Sequence, residues 1–321
     1  MPLTKPKALQ PGDTIGLVVP AGPVNRERID RAIDRITQLG FHIKTYGDIY
    51  RRTNYLAGDD VTRAAELMDA FADPHTSAVW CARGGYGVVR LLERIDFKVI
   101  RHNPKIFVGF SDITILHLAI QQRAQLVTFH GPNLQDGFGK PDAMPAANAA
   151  ALWRALMADE QTANDGGYTF DVSGADPTSL RTIVPGTARG PITGGNLAVL
   201  CGLMGTPFEI ETAGHVLFLE DVSERVYRID RYLSQLMLAS KLQSAAGILL
   251  GTFSYDDDDP ADSPEAVAAL LDDYCGRLEI PVLAGFPAGH AQYNLTLPMG
   301  AIAEMDADHP TVTMLENAVE T

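Results

Sequence analysis

The chain contains few cysteines for its 321 residues, and they are poorly placed for pairing. Cys81, Cys201 and Cys275 are odd in number and far apart, and none belongs to a Cys-x-x-Cys pair. Such a pattern favours buried free thiols over a disulfide framework or a zinc site. The cysteines therefore predict neither a disulfide scaffold nor a metal.

Positive charge is also scarce. The sequence has 26 Lys and Arg against 40 Asp and Glu, which gives a formal net charge of -14. Nucleic-acid-binding proteins need a concentrated basic surface, so nucleic acid is not an expected partner. An acidic protein that binds an anionic ligand must gather its few cations locally, and any Arg or Lys beside a candidate site is therefore informative.

Long apolar runs are missing as well. No segment approaches the roughly 20 consecutive apolar residues that span a bilayer, and residues 1–7 are not followed by an apolar stretch of signal-peptide length. We therefore expect a cytoplasmic protein with no membrane partner. Its composition, 46% hydrophobic and 21% charged, is that of a globular protein long enough for two domains.

The first half of the chain alternates between buried strands and amphipathic helices. Residues 14–19 are rich in aliphatic and β-branched side chains and predict a strand. Apolar residues then recur at helical spacing from Ile29 to Leu39, and Gly40 follows at the position of a C-terminal cap. The alternation continues to about Leu156. It predicts an N-terminal α/β domain over residues 1–160 with a parallel, flavodoxin- or Rossmann-like sheet.

The second half is organised differently. Glycine and proline interrupt the segment between residues 158 and 190, which predicts an interdomain crossing at 161–185. Beyond it, residues 186–321 contain closely spaced strands and only one predicted helix after residue 240. This composition favours a C-terminal α/β domain with a barrel-like mixed sheet.

Ser111 is the first candidate for chemistry. It falls where a predicted strand, residues 106–108, gives way to a helix. A serine on such a turn stands clear of the sheet, and backbone N–H groups at the helix start, including that of Asp112, can hold an oxyanion. The turn resembles a nucleophile elbow in which Ile113 replaces the last glycine. A serine before a helix is also an ordinary N-cap, so both interpretations stay open.

Two adjacent acids form the second candidate. Glu220 and Asp221 follow the hydrophobic strand predicted at 215–219, at the sheet edge where α/β proteins place their ligands. Asp221 would alternatively cap the following helix, with Glu224 completing a capping arrangement. Position alone does not choose between the two acids.

Histidine supplies the third candidate, because a serine nucleophile needs a base. His290 lies in a glycine-flanked loop after the strand predicted at 281–286. His130, which precedes Gly131 and Pro132, is a rival that would line a cleft. His117 lies on an apolar helix face and is interpreted as a core residue.

Two other motifs resemble ligand-binding sequences but lack residues that such sites need. Residues 84–87, Gly-Gly-Tyr-Gly, follow a strand, but Arg90 stands where the dinucleotide fingerprint needs its third glycine. The four aspartates at 256–259 lack the spacing and the central glycine of an EF-hand. We therefore predict no nucleotide cofactor and no metal.

Taken in order, several segments resemble the muropeptide LD-carboxypeptidase family, and together they extend over nearly the whole chain. The five main ones are Ala-Arg-Gly-Gly-Tyr-Gly at 82–87, Gly-Phe-Ser-Asp at 109–112, Gly-Gly-Asn-Leu at 194–197, Leu-Glu-Asp at 219–221 and Gly-His at 289–290. Segments 128–132, 227–231 and 297–300 are also similar to blocks of this family.

The resemblance implies a serine peptidase. Ser111 matches the family's nucleophile, Glu220 its acid and His290 its base, with the serine on the N-terminal domain and the other two on the C-terminal domain. The implied reaction is release of terminal D-alanine from a small murein tetrapeptide, leaving a tripeptide, during cell-wall recycling. No cofactor is implied, and a homodimer is expected by resemblance.

The same resemblance places further residues around the cleft. The backbone of Asp112, with that of Gly84 or Gly85, is expected to hold the oxyanion. Because the substrate is anionic, cations near the glycine loop or after Glu220 are candidate carboxylate partners. The candidate substrate contacts are Arg83, Tyr86, Asn196 and Arg228, with Arg225 and Arg231 as neighbouring alternatives.

Two rival functions stay open. The microcin-immunity branch of the same family is expected to use the same triad on an aminoacyl-nucleotide amide. A nucleotide favours an aromatic stacking surface, and Trp80 and Trp153 both look buried or helical, which favours murein. A non-catalytic two-domain solute-binding protein would share the architecture, but such proteins are usually exported, and the coincident Ser, Glu and His segments argue for an enzyme.

Overall fold

A six-stranded sheet organises the first half of the chain in the computed structural model, which describes residues 2–157, 167–173, 180–255 and 262–320. Its strands are β1 (Thr14–Val18), β2 (His42–Thr45), β3 (Ala78–Cys81), β4 (Ile106–Gly109), β5 (Thr128–His130) and β12 (Leu297–Met299). The order is β12-β5-β4-β3-β1-β2. The first five strands pair in parallel in the order 2-1-3-4-5, which is that of flavodoxin-like folds.

The helices around this sheet carry clear sequence signals. Asn25 and Asp59 each accept a backbone N–H as N-caps of the first two helices. The fourth helix is buried on nearly every side, as expected for a helix enclosed by protein. The helices are α1 (Arg26–Gln38), α2 (Asp60–Ala72), α3 (Phe97–His102), α4 (Thr114–Ala124), α5 (Leu134–Gly137) and α6 (Ala146–Leu156), with 3₁₀ turns at Val88–Arg94 and Ser111–Ile113.

An eight-stranded mixed sheet organises the second half. Its strands are β6 (Tyr168–Thr169), β7 (Arg181–Val184), β8 (Thr187–Asn196), β9 (Val216–Glu224), β10 (Gly247–Tyr255), β11 (Val282–Ala284), β13 (Ile302–Asp306) and β14 (Thr311–Met314). The order is β6-β14-β13-β8-β9-β10-β11-β7. The four strands from β8 to β11 are mutually parallel and the remaining pairs are antiparallel. Three helices accompany them: α7 (Leu197–Cys201), α8 (Val226–Leu238) and α9 (Pro264–Cys275).

The predicted fold class, two α/β domains with a parallel first sheet and a mixed second one, is confirmed. β6 and β7, the strands at the two ends of the second sheet, do not pair with each other in the part of the chain that the structure describes, so this sheet is open and not a closed barrel. One strand of the first sheet comes from the C-terminal half of the chain: β12 pairs antiparallel with β5. The predicted domain bounds stay a prediction. The expected interdomain crossing largely contains two segments that lie outside the described residues, 158–166 and 174–179.

One predicted element has different bounds that matter for the site. The strand expected to end at residue 219 continues as β9 to Glu224, so Glu220 and Asp221 lie inside a strand and not beyond its end. Within the described ranges, no helix has both the length and the apolar character that crossing a membrane requires.

Candidate active site

The nucleophile candidate lies on a strained turn between β4 and α4. Phe110 is extended, and Ser111 follows with φ of 69°, in the left-handed region that L-residues with a side chain rarely adopt. Such conformations cluster at functional sites. The predicted strand–turn–helix arrangement is confirmed. The N-cap alternative is wrong, because no side-chain capping bond is made at the start of the 3₁₀ turn or of α4.

Gly84 lies directly against this turn. A Cβ at Gly84 would stand 2.7 Å from Ser111 Cβ and 2.9 Å from its Oγ, so no larger residue fits. Gly22 N–H donates to the Gly84 carbonyl at 3.0 Å and fixes the glycine loop. Within the described chain, the N–H groups of Gly84 and Gly85 donate no hydrogen bond. They are therefore free to bind an oxyanion beside the serine.

Asp112 ties the glycine loop to the nucleophile turn through its side chain. Its Oδ2 accepts the backbone N–H of Val88 at 2.9 Å. The carboxyl is 2% exposed, and burial raises its pKa to about 6, although the Val88 hydrogen bond opposes the rise. The sequence predicted only a backbone role for Asp112, and this second function of its side chain was missed.

His290 and Glu220, the base and the acid that the resemblance predicts, are hydrogen-bonded to each other. Glu220 Oε2 lies 2.7 Å from His290 Nδ1, and the carboxylate is fully buried. Gly289, with φ of 122°, brings the loop close, since a Cβ there would stand 2.8 Å from Glu220 Oε2. Because the carboxylate accepts a hydrogen bond from Nδ1–H, Nε2 is left as the basic nitrogen. Burial lowers the pKa of His290, but the hydrogen bond and charge of Glu220 outweigh it and leave the pKa raised.

The two halves of the site meet through Phe110, the residue before Ser111. Its ring centroid lies 4.6 Å from that of His290. This contact places the turn that carries Ser111 next to the hydrogen-bonded pair of His290 and Glu220.

The two other histidines considered from the sequence belong to the interior. His130 is fully buried, so the cleft-lining alternative is wrong. Burial holds its pKa well below the usual range, and neither ring nitrogen has a partner among the described residues. His117 contacts the Gly109 carbonyl at 2.8 Å and Thr128 Oγ1 at 2.9 Å, which confirms its interpretation as a core residue.

Asp221 caps a different helix from the one considered in the sequence analysis. Its Oδ2 accepts the N–H of Ala198 at the start of α7 at 2.9 Å, and its Oδ1 accepts Asn196 Nδ2 at 2.9 Å. The start of α8 is capped instead by Asp262, which accepts the N–H of Val226. The capping alternative for Asp221 and the following helix is wrong, because β9 continues past it. Burial is the main cause that raises the pKa of Asp221 to about 6.

Asn196 links the two domains. Its backbone N–H donates to Thr114 Oγ1 at 3.1 Å, three residues after the nucleophile. Its side-chain oxygen accepts the N–H of Val199, so both polar atoms of the side chain are engaged within the protein. The geometry thus gives Asn196 a role in holding the strand end against α4.

The candidate cations differ in burial and in the partners they contact. Arg83 precedes Gly84, is half-buried and donates to the Pro23 carbonyl at 2.7 Å. Arg228 lies on α8 with its side chain 49% exposed, 3.5 Å from Glu224. The two alternatives also have partners within the protein: Arg225 forms a salt bridge with Asp262, and the guanidinium of Arg231 lies over the Tyr227 ring.

Two cavities flank the serine turn. One, of about 320 Å³, is lined by Tyr86, Asp112 and Val199 among others. The other, of about 250 Å³, is lined by Phe110, Pro132 and Gly289 together with residues outside the sequence motifs. A larger cavity of about 740 Å³ lies between residues 2–5, α4 and β8, and none of the three triad candidates lines it.

In the part of the chain that the structure describes, no three His, Cys, Asp or Glu side chains are grouped so that they could hold a metal ion. The aspartates at 256–259, considered above as a calcium loop, lie outside the described residues.

Both halves of the chain are similar to known proteins. Residues 15–131 match the LD-carboxypeptidase N-terminal domain and residues 189–305 match the LD-carboxypeptidase C-terminal domain. A probable murein peptide carboxypeptidase of Bacillus subtilis is 40% identical over 310 residues, covering 97% of this chain and 94% of that protein.

Solved structures are also similar. The microcin C7 self-immunity protein MccF in complex with aspartyl sulfamoyl adenosine has a TM-score of 0.87 and 25% identity, covering 99% of this chain and 100% of that one. Muramoyltetrapeptide carboxypeptidase from Oxalobacter formigenes has a TM-score of 0.76 and 30% identity, covering 94% and 97%. On the matches to both of its domains and the 40% identity over almost its whole length, this chain belongs to the LD-carboxypeptidase family.

Proposed function

We propose that this protein is a serine LD-carboxypeptidase that releases the terminal D-alanine of a murein tetrapeptide and leaves a tripeptide. The observation that carries the proposal is the buried Glu220–His290 pair, packed through Phe110 against the strained turn of Ser111. The name of the Bacillus subtilis relative supports the choice of a murein peptide as substrate.

Acylation begins when His290 Nε2 accepts the Ser111 proton. The serine oxygen then attacks the carbonyl carbon of the bond between the diamino acid's L-centre and D-alanine. Glu220 fixes the imidazole tautomer and stabilises its charged form. The N–H groups of Asp112 and of Gly84 or Gly85 hold the oxyanion, each contributing on the order of 3 kcal/mol to transition-state stabilisation.

Collapse of the tetrahedral intermediate breaks the carbon–nitrogen bond. His290 gives its proton to the departing nitrogen, and D-alanine leaves. A water molecule, activated by the same imidazole, then attacks the ester on Ser111 and releases the tripeptide.

The substrate contacts follow from position. Arg83 adjoins the glycine loop, and its guanidinium is held at one nitrogen by the Pro23 carbonyl, which suits a carboxylate of the retained peptide. Tyr86 is 53% exposed and offers an aromatic face on the same side. Arg228 lies farther out on α8, where it suits a distal carboxylate, and Asn196 acts by positioning the end of β8.

A second candidate is hydrolysis of an aminoacyl-nucleotide amide by the same residues. The Tyr86 ring lies 5.9 Å from that of Tyr55, which is also exposed, and two exposed rings beside the glycine loop suit a nucleobase. The tryptophans do not contribute: Trp80 is buried with its Nε1 bound to the Pro132 carbonyl, and Trp153 stacks on Phe41.

The test measures free D-alanine released from murein tetrapeptide at neutral pH by the native protein and by Ser111→Ala. We expect release by the native protein and none by the variant. If the native protein releases no D-alanine but cleaves aspartyl sulfamoyl adenosine, the second candidate replaces the first. If it cleaves neither compound, a peptidase role is contradicted and a binding role takes its place.

A further inference from the structure

The cavity of about 250 Å³ opens on the histidine side of the serine turn. Its lining includes Phe110, which packs on the His290 ring, and Gly289 and Ala291, the chain neighbours of His290. The cavity on the opposite side is lined by Asp112 and Tyr86, close to the expected oxyanion donors. The first cavity therefore adjoins the proposed base, and the second adjoins the expected oxyanion donors.

The chemistry of the reaction indicates which part of the substrate lies at each cavity. The imidazole that takes the Ser111 proton must later protonate the departing nitrogen, so that nitrogen has to lie within reach of His290. The carbonyl oxygen points the other way, toward the backbone donors of the glycine loop. The residue released by cleavage therefore extends into the cavity beside His290.

The charged lining of this cavity contains both signs. Lys140 is the only cation among its described lining residues, and Asp136 and Asp142 are its acids. Asp136 is half-buried and close enough to His290 to act on it electrostatically, whereas Asp142 is exposed at the rim. A cavity with one cation and an acid next to the base complements a group that carries both an ammonium and a carboxylate.

A terminal amino acid becomes such a group as it leaves. Before cleavage it carries only its carboxylate, and breaking the carbon–nitrogen bond gives it an amine that is protonated to an ammonium. We propose that this cavity is the leaving-group subsite, in which Lys140 binds the terminal carboxylate and Asp136 stabilises the ammonium that forms on the departing nitrogen. This inference rests on the proposed carboxypeptidase function.

The size of the cavity predicts tolerance of larger leaving groups. The six non-hydrogen atoms of alanine leave part of this cavity of about 250 Å³ unfilled. The inner wall is apolar, with Phe110, Pro132, Met144 and Pro145. Terminal D-residues with longer apolar side chains, such as D-methionine, should therefore also be released.

The first experiment compares two murein tetrapeptides that differ only in a terminal carboxylate or carboxamide. Lys140 is exposed, so Lys140→Gln should fold normally. We expect kcat/KM for the carboxylate form to fall about tenfold through KM, with the amide form unaffected. The control is Lys98→Gln, an exposed lysine on α3, which should change neither. An equal effect on both substrates, or none on either, would overturn the assignment.

A second experiment separates failure of this inference from failure of the proposed function. Free D-alanine and D-methionine are offered to the native protein, Lys140→Gln and Asp136→Asn, and binding is followed by saturation transfer to the ligands in NMR spectra. Binding to the native protein that weakens several-fold in both variants supports the subsite, even if no murein peptide is cleaved. Absence of binding to the native protein, or equal binding to all three, contradicts it.

Discussion

The imidazole of His290 packs against the ring of Phe110 with 4.6 Å between the ring centroids, although the two residues come from different domains. Phe110 precedes Ser111, so this contact places the proposed base of one domain against the turn of the proposed nucleophile in the other. Activity should therefore depend on how the domains are held together as well as on the three proposed catalytic side chains.

Replacing Ser111 should separate catalysis from backbone strain. Ser111→Ala and Ser111→Gly should both abolish turnover, because each removes the hydroxyl. At φ of 69°, glycine is free of the Cβ clash that alanine keeps, so the glycine variant should be more stable than the alanine variant by about 1 kcal/mol. Urea denaturation measures the difference. Equal stability would show that the left-handed turn stores no strain.

Glu220→Gln should change the pH profile as well as the rate. The base works when neutral, and its pKa is raised in the native site, so kcat/KM should rise with pH along a limb above the ordinary value near 6.5. Without the carboxylate charge the burial of His290 dominates, and the limb should move to lower pH. The maximal rate should fall roughly 10³- to 10⁴-fold. An unmoved limb would mean that Glu220 does not control the base.

Asp112→Asn should stabilise the protein in a pH-dependent way. Because burial raises the pKa of Asp112 to about 6, the unfolded chain ionises first as pH rises from 4, and native stability falls until about pH 6. Asparagine can still accept the Val88 N–H but does not titrate. Relative to the native protein, the variant should gain on the order of 2 kcal/mol between pH 4 and 7.

The control for this measurement is Asp34→Asn, since Asp34 is exposed on α1. Its unfolding free energy should follow that of the native protein at every pH. If the unfolding free energies of Asp112→Asn and the native protein ran parallel with pH, the account of a buried carboxyl with a raised pKa would be contradicted.

Asn148→Ala tests whether the loop that carries His290 is anchored to the N-terminal domain. Asn148 Nδ2 donates to the Gln292 carbonyl, and its Oδ1 accepts the N–H of Asn294 at 3.0 Å. Asn294 in turn accepts the N–H of Gly289 at 3.0 Å. Removing this buried amide should cost about 1–3 kcal/mol of stability and lower kcat about tenfold by loosening His290.

Asn103→Ala is the matched control for that variant, because Asn103 bonds only locally, to the Val99 carbonyl. It should leave kcat unchanged. If Asn148→Ala kept full kcat after correction for its folded fraction, the loop would not need this anchor.

The sequence was sufficient for the elements whose signals are local. A buried strand followed by a serine and a helix predicted the turn of Ser111, and the Leu-Glu-Asp and Gly-His segments, read through the family resemblance, predicted the acid and base that the structure brings together. The parallel first sheet followed from the alternation of strands and helices. These features depend on residues close together in the chain or on ordered motifs.

Features that depend on distant contacts were not predictable. Nothing local shows that β12 joins the first sheet, that Asp221 caps α7 across 23 residues, or that Asn148 holds a loop 146 residues away. His130 stood beside glycine and proline like a cleft residue, yet the packing of Phe218 and Phe110 against its ring encloses it. Lys140 belonged to no motif, and its position gained meaning only as part of the cavity that Phe110 and Gly289 also line.

The most direct test of the central claim, that Ser111 is activated by the Glu220–His290 pair, is covalent labelling with a serine-directed fluorophosphonate followed by peptide mass spectrometry. The account predicts a single modification at Ser111 in the native protein. Labelling should be slowed at least a hundredfold, or roughly 3 kcal/mol, in His290→Asn. Modification at another residue, or equal labelling of Ser111 in the variant, would contradict it.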